Sequence, residues 1–332
     1  MKKLLILPLL LLLAIGSTVI WLYFNTQPVS GNKEFKNFLI PRGSSASSIG
    51  NKLQNARLIK SSLAFRIYLQ FTGQAKKIQT GEFRLTPSFN LFQVVDQLSR
   101  GPIEIWVTVP EGLRREEIAG RFASNLDRDQ AFVNEFLASS KGKEGYLFPD
   151  TYLFPKDASA SAVVAKMART FDTKTADLTQ TGSSLSSKDL VTLASLIERE
   201  TKGDAERPVV AGIILNRLNA GWPLQIDASV QYAIANDKCH DQGSQSLTNV
   251  KCSDWWPILT KADLQINSPY NSYKFTGLPP SPIASPGITS IKAAYNPEAN
   301  DYWYYIHDNS GVIHYAKTLD EHNANIRTYL GK

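Results

Sequence analysis

The sequence predicts an α+β protein of three parts: an N-terminal membrane helix, a small α+β module, and a larger α+β domain carrying an acid on a helix. Three observations predict this. An uncharged apolar run opens the chain. Short alternating strands then recur, each followed by a Pro-x-Gly turn and a helix. Finally, two apolar helices stand back to back, "LASLIERETKGDAERPVVAGIILNRL" (Leu193 to Leu218), the first ending in Glu198 and Glu200. With 332 residues and 43% apolar content the chain is long enough for two cores.

The first part is "MKKLLILPLLLLLAIGSTVIWLYF". Lys2 and Lys3 precede a run from Leu4 to Phe24, close to the roughly 20 residues that cross a hydrocarbon core. A cleaved signal peptide is the competing reading, with Ala14-Ile15-Gly16 imitating its small-residue site. Val19 to Phe24 continues the apolar run past that point, and Trp21 and Tyr23 suit an interfacial belt. The expectation is an uncleaved single-pass anchor over residues 1–24, its N-terminus in the cytoplasm and the rest of the chain outside. A polar tether over residues 25–36 follows.

The module is expected over residues 37–109. "FLIPRGSSASSIGNKL" (Phe38 to Leu53) aligns with "VTVPEGLRREEIAGRF" (Val107 to Phe122), pairing Pro41 with Pro110, Gly43 with Gly112, Ile49 with Ile118 and Leu53 with Phe122. "FRLTPSFNLFQVVDQL" (Phe83 to Leu98) is a looser third copy. Each reads as strand, turn and helix. Leu53 to Gly73 reads as mostly helical, and Gly101 to Pro110 as a half-buried strand.

The larger domain is expected over residues 110–332. It opens with a helical stretch from Arg114 to Phe136, and a Ser/Thr-rich linker (Thr173 to Ser187) leads to the helix pair. The first helix starts near Ser187 as N-cap, with Asp189 in its first turn. At about 100° per residue, Leu190, Leu193, Ala194 and Ile197 share a face. Glu198 falls inside that apolar arc and Glu200 on its opposite edge. A desolvated carboxyl keeps its proton to higher pH and is then able to donate it to a leaving oxygen. Glu198 is therefore the candidate acid, and Glu200 and Arg217 are candidates for support. The plainer reading is a salt bridge from Glu198 to Arg207 or Arg217. The second helix has Asp204 as cap, Pro208 in its first turn and Gly221 as its stop. Short strands (Tyr302 to Ile306, Val312 to Ala316) and a helix (Leu319 to Tyr329) close the chain.

Other chemistries find little footing. The charge of +6 is modest and interspersed, which argues against nucleic acid as a partner. There is no G-x-S-x-G elbow, phosphate loop or dinucleotide fingerprint. Four histidines and two cysteines match no zinc spacing, so neither metal nor cofactor is expected. Outside the cytoplasm Cys239 and Cys252 are free to form a disulfide, worth about 3 kcal/mol for so short a loop; two free thiols are the alternative. Amides, acids and rings (Asn216, Gln225, Asp227, Tyr232, Tyr270, Asn271, Tyr273) suit a sugar chain, although packing explains each of them singly.

The segments "EGYLFPDTY", "ASLIERET", "ERPVVAGIILNRL", "PLQIDASVQY", "SPYNSY" and "GLPPSPIASPG" occur in this order between Glu144 and Gly287. In this the chain resembles the endolytic murein transglycosylases, single-pass membrane enzymes that cut peptidoglycan. The preceding module resembles a LysM-like glycan-binding domain. The chain departs from the family with Asp227-Ala228-Ser229 where "DPT" is usual and Ser281 where glycine is usual; Asn236 to Trp256 looks inserted. The resemblance implies a lyase that cleaves the bond between N-acetylmuramic acid and N-acetylglucosamine without water. One acid, which the resemblance puts at Glu198, protonates the glycosidic oxygen. It then deprotonates the muramyl 6-hydroxyl, which closes a 1,6-anhydro end. Asn216, Gln225, Asp227, Tyr270 and Asn271 are the expected glycan contacts. The resemblance also implies proximity to wall synthases, penicillin-binding proteins among them, at the outer face of the bacterial inner membrane. A non-catalytic wall-binding scaffold and a hydrolytic muramidase are the alternatives.

Overall fold

The computed structural model describes the backbone of residues 6–41, 43–181, 184–240 and 254–331, with side chains from residue 12 onward except 239 and 240. The expected Cys239–Cys252 bridge falls outside the described side chains. Two compact units emerge: residues 1–106 with 153–158, and residues 107–152 with 159–332. The sequence division at residue 109 was linear; the excursion Leu153–Ala158 makes the observed one discontinuous.

The first unit begins with α1 (Ile6–Thr26). Among the described residues no helix is long and apolar enough to cross a membrane. Only the second half of the apolar run Leu4 to Phe24 has described side chains. Strand β1 (Lys36–Ile40) pairs antiparallel with β2 (Gly81–Leu85), Lys36 opposite Leu85 and Ile40 opposite Gly81. Between them lie α2 (Ala46–Asn55) and α3 (Ser62–Thr72), and α4 (Leu91–Arg100) follows β2. Serine caps start α2 and α3: Ser45 and Ser61 accept backbone N–H bonds that the first turn leaves open. A capping box between Asn90 and Gln93 starts α4. Alternation in β1 sends Phe38 and Ile40 into the core with Ile49, Leu53, Phe65, Leu85 and Val94, while Leu39 stays exposed.

Strand β3 (Glu104–Thr108) pairs with β4 (Thr151–Pro155), and the boundary between the units falls within both strands. The three sequence copies are three strand–turn–helix passages. In two of them Gly43 and Gly112 take φ of 78° and 75° at matching turns, where a side chain would be strained. The paired positions Ile49 and Ile118, and Leu53 and Phe122, are all buried.

The second unit is mostly helical. The expected stretch Arg114 to Phe136 is two helices, α5 (Arg115–Asn125) and α6 (Gln130–Ser139). Asp127 breaks it at φ 54°, and Asp129 caps the restart. Helix α7 (Ala160–Thr175) precedes α8 (Ser187–Glu200) and α9 (Glu206–Asn219). The cap of α8 is Ser186, one residue earlier than expected. Asp204 does not cap α9; its carboxylate pairs with Arg207 instead. Helices α10 (Asp227–His240) and α11 (Ile288–Tyr295) follow, then the hairpin of β5 (Tyr304–His307) and β6 (Ile313–Ala316). The chain ends in α12 (Leu319–Asn325) and a wider π turn (Ile326–Leu330). Leu193, Leu196, Ile197, Val210, Ile214 and Ile291 make the centre of the core. Helix α8 is buried on every side from Leu190 to Ile197.

Candidate active site

The end of α8 points two acids into two different surroundings. Glu198 meets a network of donors. Its Oε2 accepts from the Gly287 N–H (2.9 Å) and from Ser290 Oγ (2.8 Å), and its Oε1 faces Arg207 Nη2 at 3.4 Å. Arg207 is itself buried; it donates from Nε to Ser290 Oγ, pairs with Asp204, and stands 3.9 Å from Glu111. Burial first, and then the charge on Glu198, pushes the Glu111 carboxyl up. The plainer sequence reading, a salt bridge from Glu198 to Arg207, is therefore present.

Glu200 opens onto a cavity of about 360 Å³. Arg217, Gln225, Asp227, Tyr273, Tyr304, Tyr305, Leu319 and His322 line it with Glu200. Tyr305 donates its hydroxyl to Glu200 Oε2 at 2.7 Å. Burial pushes the Glu200 carboxyl up to about 7, with the charge of Asp227 adding to the rise; the Tyr305 bond, Arg217 and Arg199 pull it back. A second carboxylate–phenol pair joins Asp227 Oδ1 to the Tyr273 hydroxyl at 2.6 Å. Burial and that carboxylate push the Tyr273 phenol up, so it stays a hydrogen-bond donor.

The backbone fixes these groups firmly. Gln225 sits at φ 57° and donates its N–H to Ser272 O, which turns its side chain toward the cavity. Arg217 is held by two carbonyls, Trp303 O at 2.8 Å and Leu224 O at 2.6 Å. Tyr304 stacks on His322 with ring centres 5.1 Å apart, and the Arg217 guanidinium lies 5.5 Å from the Tyr304 ring centre. Burial, and then the charge of Arg217, lower the pKa of the His322 imidazole. A wall of rings with two acids and one amide set into it matches the apolar faces and hydroxyl edges of a sugar.

Five sequence candidates thus meet here: Glu200, Arg217, Gln225, Asp227 and Tyr273. The others have structural partners. Asn216 donates to Asn300 O and Tyr302 O. Asn271 is fully buried and donates to Leu264 O and Ile266 O. Tyr270 shares a 2.6 Å hydroxyl contact with Ser281 and packs on Tyr232. Sequence reasoning gave no site role to Tyr304, Tyr305 or His322, which come from the terminal hairpin and α12. The one available signal was the aromatic density of "DYWYYIH".

With this geometry in hand, comparison with known proteins defines a class. The model of the YceG-like family matches residues 38–328. An endolytic murein transglycosylase of Bacillus subtilis is 33% identical over 96% of this chain and 91% of its own length. One from Streptococcus pneumoniae is 27% identical over 91% of this chain, which spans 60% of that longer protein. The crystal structure of a putative YceG-like protein from Listeria monocytogenes superposes with a TM-score of 0.52 at 27% identity, covering 88% of this chain and 99% of that one. The chain belongs to the YceG-like family. The class expected from the sequence, a lytic transglycosylase of the lyase type, agrees with the names its relatives carry.

Proposed function

We propose that this protein cleaves peptidoglycan glycan strands internally, between N-acetylmuramic acid and N-acetylglucosamine, with Glu200 as the acid. The carrying observation is a carboxyl with a pKa pushed to about 7, opening onto a ring-walled cavity. Such a group is half protonated at neutral pH, where an acid that must later act as base works best. Protonated, Glu200 gives its proton to the glycosidic oxygen as the C–O bond breaks. As carboxylate it takes the proton of the muramyl 6-hydroxyl, whose oxygen bonds to the anomeric carbon and leaves a 1,6-anhydro end. Intramolecular attack supplies the proximity that a bound water would otherwise have to supply. Tyr305 holds the carboxyl in place, and Gln225, Asp227 and Tyr273 offer partners to sugar hydroxyls.

Glu198, the acid expected both from its place on the helix face and from the family resemblance, is the alternative. Against it stand the three donors already engaged on Glu198. Mass spectrometry of digested glycan separates the readings. Anhydro ends with the native chain, lost in Glu200→Gln and kept in Glu198→Gln, are expected. Reducing ends would indicate a muramidase, and intact strands a scaffold.

The same reading extends to location. The run Leu4 to Phe24 supports a single-pass anchor in the bacterial inner membrane, with the enzyme on its outer face near nascent strands and wall synthases such as penicillin-binding proteins. The β1–α2–α3–β2 order supports a LysM-like role for the small module.

A further inference from the structure

Where α1 leaves its apolar run, its last turns and the adjoining faces of α3 and α4 enclose a cavity of about 490 Å³. Leu22, Tyr23, Ile67, Tyr68, Phe71 and Phe92 line it. Phe71, in the last turn of α3, is 87% exposed, and Phe92, in the first turn of α4, 45%. Singly exposed rings are ordinary; a contiguous apolar face is not. Here the face continues along α1, where Val19, Ile20, Tyr23 and Phe24 are each about 60% exposed. Whatever solvent covers those side chains also reaches the cavity mouth. Just beyond Phe71, the short turn Gln74–Lys77 carries Lys76 and Lys77, both exposed.

We propose that this face of the small module is seated on the membrane itself, with phospholipid acyl chains entering the cavity beside Phe71 and Phe92 and anionic headgroups meeting Lys76 and Lys77. The proposal rests on the anchor reading of α1 and goes beyond it, since an anchor alone does not bring lipid against α3 and α4. Charge selects lipid over a second copy of the chain. Two copies meeting here would bring like-charged lysines together, whereas an anionic headgroup offers each lysine an opposite charge. Carbon-rich walls with a basic rim are what an interfacial site requires.

The test uses the full chain in vesicles of phosphatidylglycerol and phosphatidylethanolamine. The photoreactive residue p-benzoylphenylalanine replaces Phe71, Phe92 or, as control, the exposed Lys52 of α2. Flotation reports anchoring, and mass spectrometry reports the crosslinked species. Lipid adducts at positions 71 and 92, several-fold above position 52, are expected. Lys76→Gln with Lys77→Gln is expected to cut the adduct at position 71 by about fivefold or more. Flotation without lipid adducts, or crosslinks to a second copy in their place, overturns the seating while leaving the anchor intact. Failure to float overturns both. An adduct yield indifferent to the lysines overturns the headgroup contact.

Discussion

Two glutamates two residues apart have opposite fates, and single atoms decide between them. Glu200 shares its carboxyl with one phenol; Glu198 shares its own with a backbone N–H, a hydroxyl and a guanidinium. Glu200→Gln is therefore expected to lower the cleavage rate by about 10²–10⁴-fold, the usual worth of a general acid or base, as read from anhydro product release. Tyr305→Phe removes the bond that favours the charged form, so the Glu200 carboxyl rises further and the alkaline limb of the kcat profile moves to higher pH. A limb unmoved by Tyr305→Phe would separate the catalytic proton from Glu200. Stability follows the same group. Folded, Glu200 titrates at about 7, against 4.5 as its ordinary value, so the folded state holds the proton more tightly. Its contribution is fully present below about pH 4.5 and is lost as pH rises through 7, by on the order of 1–3 kcal/mol. Thermal melts of Glu200→Gln should lack that part of the decline.

At the scale of the element, α8 explains both what was legible and what was not. Its existence, and the two acids at its end, stood in the sequence because Leu190, Leu193, Ala194 and Ile197 repeat at helical spacing. An apolar face at that spacing implies a polar side opposite it, and α8 has none between Leu190 and Ile197. Leu196, one turn before Glu200, is as buried as Leu193, so the edge given to Glu200 faces protein and a cavity. Helical periodicity carries no information about which buried side meets a hole. The strand–turn–helix copies were legible because turn glycines and apolar spacing are local. Tyr305, which arrives from a distant hairpin, was not. Helix α9 holds a test of close packing that local pattern also hides. A Cβ on Gly212 would overlap Glu298 O and lie 2.5 Å from Asn300 Nδ2. Helix propensity alone favours alanine by about 1 kcal/mol. The clash with a backbone carbonyl reverses the sign, and Gly212→Ala is expected to cost about 1–3 kcal/mol in denaturant unfolding.

Across the whole molecule, the chemistry and the cores partition unevenly. Every residue lining the Glu200 cavity belongs to the second unit, whose core contains Leu196. The first unit has its own core, with Phe65 fully buried in it. A cavity cut in either core costs stability of similar size, about 3–5 kcal/mol for Phe→Ala and 2–5 kcal/mol for Leu→Ala. Their consequences for cleavage should differ. Leu196 is four residues before Glu200 on the same helix face, so Leu196→Ala loosens the backbone that aims the carboxyl. A displacement near 1 Å at a reacting group is enough to lower the rate about 100-fold. Phe65→Ala leaves every atom of the cavity wall in its own unit untouched. Assayed on soluble glycan fragments below its lowered melting temperature, Phe65→Ala should keep the native kcat, while Leu196→Ala loses at least tenfold at comparable destabilisation. Equal losses from the two variants would mean that stability, and not the placement of Glu200, limits the reaction.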